Sequence, residues 1–304
     1  MELIRPDTNY DFVGKRHIAI IASWLVILVG LVSLTIKGGP SYGIDFSGGT
    51  LVQIKLASET TAAQVREALK ETELHGMTIQ QFGEQANEFL LRAQGASANL
   101  ENLATTIQGT MEKTYGAGKV EIRRTEMVGP QVGKDLRQKA LMAILFAIAG
   151  MLVYITFRFE FRFGLGAIIG LVHDVLITLT VFSLLNLEID LTVIAAFLTI
   201  VGYSVNDTVI VCDRIRENMA KHPKEAIEPL INRSINETLS RTVMTSGITL
   251  LSVIALYLFG GSVIKNFAFA MLIGIVIGTY SSIFVASPII IYWENFKKHK
   301  AART

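Results

Sequence analysis

Residues 18–36 read IAIIASWLVILVGLVSLTI, nineteen positions without a charge. At 1.5 Å rise per residue such a helix extends about 28 Å, close to the ~30 Å hydrocarbon core of a bilayer. Lys15, Arg16 and His17 precede the run, as the n-region of a signal peptide would. The run is longer than a usual h-region, however, and KGGPSYG after it holds no A-x-A-like cleavage site, so the sequence predicts an uncleaved anchor.

After a segment of about 100 residues, apolar runs return at 140–157, 163–185, 191–212, 243–259 and 267–293. Each is long enough to cross a bilayer. The last is long and is expected to tilt or to extend into the interface. Tyr154, Tyr257, Tyr292 and Trp293 stand near the ends of runs, where aromatic belts form. Only 18% of the 304 residues are charged, against about 25% in ordinary globular domains, and those charges lie in blocks between the runs. A disordered chain is excluded by the 51% hydrophobic content. A single cysteine excludes a disulfide scaffold and a Cys-rich metal site. A net charge of +2 is too small to argue for a nucleic-acid partner.

Short loops set the orientation. Arg158 and Arg162 flank the turn between runs two and three, and Arg214, Arg216, Lys221, Lys224 and Arg233 lie between runs four and five. Lys297, Lys298, Lys300 and Arg303 form a basic tail. The connection NLEID at 186–190 is acidic, and GGSVIKN at 260–266 has one lysine. Both termini are therefore expected in the cytoplasm and the long segment after run one outside it. That segment alternates elements. Residues 50–57 read as a strand, 61–74 as a helix with Thr61 and Gln64 in capping-box spacing, 77–82 and 88–93 as strands about a GEQAN turn. Residues 99–115 read as a helix and 119–127 as a strand. The expected fold is an α-helical polytopic membrane protein with six transmembrane helices plus a small α+β extracytoplasmic domain, βαββαβ and ferredoxin-like. The expected divisions are 1–37 (cytoplasmic N-terminus and first span), 38–134 (extracytoplasmic domain), 135–296 (five-helix bundle) and 297–304 (cytoplasmic tail).

Polar groups inside the runs need a reason, since Asp or Arg at a span centre costs about 2.5–3.5 kcal/mol. Run four contains GYSVNDTVIVCDRIREN, and Thr199, Tyr203, Asn206 or Asp207 recur on one helix face. Run five carries Arg241, Thr245, Thr249 and Ser252 at i, i+4, i+8 and i+11, and run three has His173, Asp174 and Thr178. The hydroxyls are read as helix-packing glue. Asp207 is read as functional, because an intramembrane carboxylate marks an ion pathway by default. Asp174 could instead be satisfied locally by His173 or Thr178. Desolvation disfavours a charged carboxylate and a nearby arginine favours it. Helices four and five moving against each other would therefore let Asp207 gain and lose Arg241 as a partner, tying proton uptake to shape change. Arg241 sits at the start of its run and could reach solvent instead. Gly166-xxx-Gly170 and Gly274-xxx-Gly278 read as close helix contacts, and Cys212 as a packed thiol. No Walker loop, HExxH or GxSxG occurs and the five histidines are scattered, so no enzyme activity, cofactor or metal is expected.

Four blocks carry a resemblance: GIDFSGGT at 43–50, VGPQVGKDLRQKA before run two, GYSVNDTVIVCDRIREN, and NETLSRTVMTSGITLL in run five. Together they resemble the SecF family, the small subunits of the SecD–SecF accessory complex of bacterial protein export, across essentially the whole chain. A SecD relative carries a much larger outside domain than about 100 residues can hold. The resemblance implies the resistance-nodulation-division transporter class, with six spans as half of a twelve-span assembly and SecD as the other half. It implies work on exported polypeptide chains at the SecYEG channel, driven by proton motive force, with SecA and YajC as further partners in the bacterial inner membrane. The family's proton-path aspartate, in its Asn-Asp-Thr motif (Asn206 to Thr208), falls on Asp207, and its partner arginine, in Ser-Arg-Thr, falls on Arg241. Asn206 and Asp174 join the candidate proton pathway from their place within the runs, not from the resemblance. Its first motif falls on Gly43, Asp45, Gly48 and Gly49. Cys212 stands where relatives commonly have Phe. A small-molecule half-transporter of the same class, and a membrane sensor or scaffold, are the alternative readings. The outside domain is small for the first, and the connections inside are short for the second.

Overall fold

The computed structural model describes residues 8–70, 77–82, 87–93, 102–261 and 263–301. In chain order the elements are α1 (Arg16–Lys37), α2 (Ile44–Ser47), β1 (Gly49–Leu56), α3 (Ala62–Ala68), β2 (Thr78–Gln81) and β3 (Glu88–Ala93). There follow α4 (Leu103–Tyr115), β4 (Val120–Val128), α5 (Pro130–Arg158), α6 (Phe161–Leu184), α7 (Leu191–Lys221) and α8 (Ile227–Phe259). The last helix is α9 (Lys265–Ser281), a π-helical turn (Ser282–Ala286) and α10 (Ser287–Ala301). Six helical stretches among the described residues are long and apolar enough to cross a membrane. The chain divides into two compact units. One comprises residues up to Ser41, Met142–Leu187 and the chain from Thr192 onward; the other comprises Tyr42–Leu141 with Glu188–Leu191.

In the helical unit α6, α7 and the last helix are buried over about half of their apolar windows, whereas α1, α5 and α8 are mostly uncovered. Hydrocarbon tails are as apolar as leucine, so close packing rather than hydrophobic drive selects the contacts. Both small-residue pairs provide such contacts. A Cβ on Gly166 would stand 2.8 Å from the Ala286 carbonyl oxygen, and one on Gly278 would stand 3.1 Å from Ser204 Cβ. Gly170 and Gly274 face Ala286 and Ile200 in the same way. Around them pack Phe163, Leu171, Val201, Ile215, Ile231 and Ile290. Helix α1 ends where Gly38, at φ +74, turns left-handed and donates to the Leu34 and Thr35 carbonyls.

Two features differ from the reading of the sequence. The connection of about 30 residues between runs four and five is mostly helical: α7 continues to Lys221 and α8 begins at Ile227, leaving five residues between them. Polar pairs hold the extensions together. Arg214 reaches Glu217 and Glu237, both at 2.6 Å, and Asn218 donates to Ser234 at 2.9 Å and Glu237 at 2.7 Å. Asn232 and Asn236 in turn accept from the backbone of Phe12 and Tyr10. The sixth run is interrupted rather than only long. Pro288 has no N–H to donate within the helix, and the turn just before it widens to π geometry, with Ser287 Oγ donating to the Ser282 carbonyl at 2.7 Å.

The second unit is a four-stranded antiparallel sheet in the order β2-β3-β1-β4. β1 pairs with β3 (Val52 opposite Leu91) and with β4 (Val52 opposite Thr125). Val52, Ile54, Leu56, Phe89 and Leu91 bury one face against Val65 of α3 and Leu103, Ile107 and Met111 of α4. Thr61 and Gln64 form the expected capping box at α3. The expected GEQAN turn, the end of the helix expected at 61–74, and the start of the one expected at 99–115 lie largely outside the described residues.

Candidate functional site

Run four becomes α7 because its apolar positions recur at helical spacing, and that same spacing directs its polar groups to two faces. Ser204, Asp207 and Thr208 are buried, while Thr199 and Asn206 are exposed. Asp207 thus points into the helical unit and Asn206 away from it. Asp207 Oδ2 accepts from Ser246 Oγ of α8 at 2.9 Å, and Thr279 Oγ1 of α9 lies 3.5 Å from the same oxygen. Thr279 also donates to Ser246 at 2.7 Å. Asp207 Oδ1 is buried without a partner, as are the Tyr203 hydroxyl one turn before it and Thr242 Oγ1 one turn before Ser246. A buried carboxylate with one oxygen held and the other unsatisfied leaves part of its acceptor capacity unmet.

Asp207 and Arg241 are not paired in this structure. Arg241 is exposed, and no carboxylate among the described residues lies within 4.0 Å of its guanidinium. The face of α8 turned to Asp207 carries Ser246 and also Thr245, the next member of the stripe that begins at Arg241.

Asp174 of α6 is fully buried. Its Oδ2 accepts from Ser204 Oγ of α7 at 2.5 Å and Ser281 Oγ of α9 at 2.8 Å, and its Oδ1 lies 3.0 Å from His173 Nδ1. Thr178 donates to the Asp174 backbone carbonyl rather than to the carboxylate. Asp207 and Asp174 thus occupy separate hydroxyl cradles, joined through α7 and α9. Sequence reasoning missed Ser246, Thr279 and Ser281. The run Thr279-Tyr280-Ser281-Ser282, four hydroxyls in an apolar span, is the signal that points to the last two.

The 43–50 motif assembles within the sheet unit. Gly43 N donates to the Ile189 carbonyl at 2.8 Å, and Asp45 Oδ2 accepts from the Leu191 amide at 2.9 Å. Arg92 of β3 grips the Glu188 carboxylate with both terminal nitrogens. Gly48 adopts φ +72 where a Cβ would stand 2.9 Å from Pro130 Cα, and Gly49 opens β1 opposite Val128. Within this unit the motif and Arg92 hold residues 188–191. Cys212 is buried, as expected of a packed thiol.

Comparison with known proteins gives this architecture a family. The model described as "Protein export membrane protein SecD/SecF, C-terminal" matches residues 107–296, and "SecD/SecF GG Motif" matches residues 32–59. Protein translocase subunit SecF of Magnetococcus marinus is 45% identical over 305 residues, covering 99% of this chain and 97% of its own. That of Calditerrivibrio nitroreducens is 42% identical, covering 98% of both. The crystal structure of SecDF, a translocon-associated membrane protein from Thermus thermophilus, superposes with a TM-score of 0.86 at 38% identity. The match covers 96% of this chain and 40% of that one. Motifs, helices and full-length identity agree: the chain belongs to the SecF family of protein translocase subunits.

Proposed function

We propose that the chain is an accessory subunit of bacterial protein export that works with SecD and uses proton motive force to assist exported polypeptides through SecYEG. The observation that carries the ion-coupling part is Asp207, a membrane-depth carboxylate with one oxygen held by Ser246 and the other buried and free of any partner. Protonation removes its charge and changes what Ser246 and Thr279 must satisfy, so occupancy alters the α7–α8–α9 contact. A single charge crossing 100 mV is worth about 2.3 kcal/mol, sufficient to bias a two-state equilibrium about fifty-fold.

A second half is called for by the faces left open. Ala195, Thr199, Gly202 and Asn206 are exposed at helical spacing on α7, and Arg241 is exposed on α8. Small and polar residues at membrane depth suit another helix rather than lipid. SecD fills that role in this reading, bringing Asn206 and Arg241 into the proton path, with SecA and YajC as neighbours at the channel. The chain's 40% share of the longer SecDF chain supports a two-part assembly. The βαββαβ order with strands β2-β3-β1-β4 supports a ferredoxin-like outside domain over 38–134. The loop charges support cytoplasmic termini in the inner membrane, with a five-helix bundle at 135–296 and a basic tail at 297–304. The work is ion-coupled movement rather than bond chemistry.

The test is reconstitution. Vesicles holding the channel, SecD and this chain should complete translocation of an arrested polypeptide when a proton gradient is imposed after ATP is removed. Equal completion with SecD alone would overturn the proposal.

A further inference from the structure

We propose that His173 and Asp174 form a second proton-binding centre, distinct from Asp207, and that the proton is taken at His173 Nε2. Asp174 Oδ2 receives two hydroxyls, from Ser204 at 2.5 Å and Ser281 at 2.8 Å, and Asp174 Oδ1 faces His173 Nδ1 at 3.0 Å. Ser204 and Ser281 come from two helices other than that of Asp174, and both carboxylate oxygens have a partner. An ionised carboxylate only accepts, so the proton of that last contact belongs to the imidazole at Nδ1. Neutral imidazole with Nδ1 protonated has one acceptor left, Nε2. In this structure Nε2 is buried and has no partner, and His173 as a whole is 6% exposed.

The surroundings hold the ring in place without supplying a competing charge. Tyr280 stacks on it at 6.0 Å and 27°, and the Tyr280 hydroxyl is occupied by the Ala19 carbonyl of α1 at 2.8 Å. α1 offers Ser23 to the same hydroxyl, α7 offers Ser204, and the π-helical turn offers Val285 to the cavity that His173 lines. Among the described residues, the charged or titratable groups in contact with the pair are Asp174 itself and Tyr280. Proton uptake converts a neutral imidazole beside a carboxylate into an ion pair without moving either partner. Release restores an orphaned acceptor. Ser204 and Ser281 connect the centre to α7 and α9, the helices that carry Asp207 and Thr279.

The test needs no substitution in the centre. In the full chain, His17, His75, His222 and His299 are replaced by glutamine, the remaining histidine is isotope-labelled, and the protein is placed in lipid nanodiscs. Its ring resonances are followed across about pH 5 to 9. The expected result is the Nδ1–H tautomer at high pH, passing to the doubly protonated ring as pH falls. The same titration is expected when Asp207→Asn is added, because the two centres are separate. A ring that stays in one protonation state throughout overturns the proposal, as does an Nε2–H tautomer or a titration abolished by Asp207→Asn. None of these outcomes depends on whether Asp207 itself drives export.

Discussion

Asp45 caps helix α7 from 146 residues away, its Oδ2 accepting from the Leu191 amide at 2.9 Å. The first amides of a helix lack partners within it, and a carboxylate placed there satisfies one and complements the helix dipole. Asp45→Ala should therefore lose about 1 kcal/mol and raise amide exchange at the start of α7. Asp45→Asn should keep most of the cap. Unchanged exchange in the alanine variant would remove the capping role.

The neighbouring pair Arg92–Glu188 has side chains only 10% and 23% exposed. Reversing one charge should destabilise the full chain by about 3 kcal/mol, because the other is left without its counter-charge in a partly buried site. Combining Arg92→Glu with Glu188→Arg should recover most of the loss in thermal unfolding. A double variant no better than the singles would mean that the pair acts through its other surroundings.

Gly278→Leu places a branched side chain against Ser204, where even a Cβ would stand 3.1 Å from Ser204 Cβ. It should separate α7 from α9, release Ser204 from Asp174 and lower stability by at least 2 kcal/mol. Gly247→Leu, where an added Cβ meets nothing within 4 Å, is the matched control and should remain near wild type. Equal loss in both would show that bulk alone, rather than the α7–α9 contact, is responsible.

These particulars show what the residues reveal locally and what they do not. The six apolar stretches, the glycine pairs and the Thr61–Gln64 capping box were legible because each depends on composition or spacing within one segment. The continuation of α7 and α8 past the apolar runs was not, because Arg214, Asn218 and Glu237 stabilise it across two helices. The clamp on residues 188–191 joins positions over 90 apart, so GIDFSGGT gives no hint of what Asp45 holds. On α8 the apolar pattern is weak enough that Arg241 and Thr242 compete for the inward face. Packing assigns it to Thr242.

Orientation is open to a direct labelling experiment. A cysteine at Lys113 of α4 should react with an impermeant thiol reagent added to intact spheroplasts, and one at Lys221 should not. Both native side chains are exposed and Cys212 is buried, which keeps background low. The reverse pattern would invert the proton path.

The most direct test of Asp207 is translocation driven by a proton gradient in vesicles with matched protein levels, comparing the wild-type chain with Asp207→Asn. Asparagine keeps the shape and can still accept from Ser246, but it cannot take and release a proton at that position. The account predicts that gradient-dependent translocation is lost while assembly with SecD survives, and that Asp207→Glu retains part of the activity with an altered pH dependence. Wild-type rates in Asp207→Asn would contradict it, leaving Asp207 as a hydrogen-bonding contact between α7 and α8.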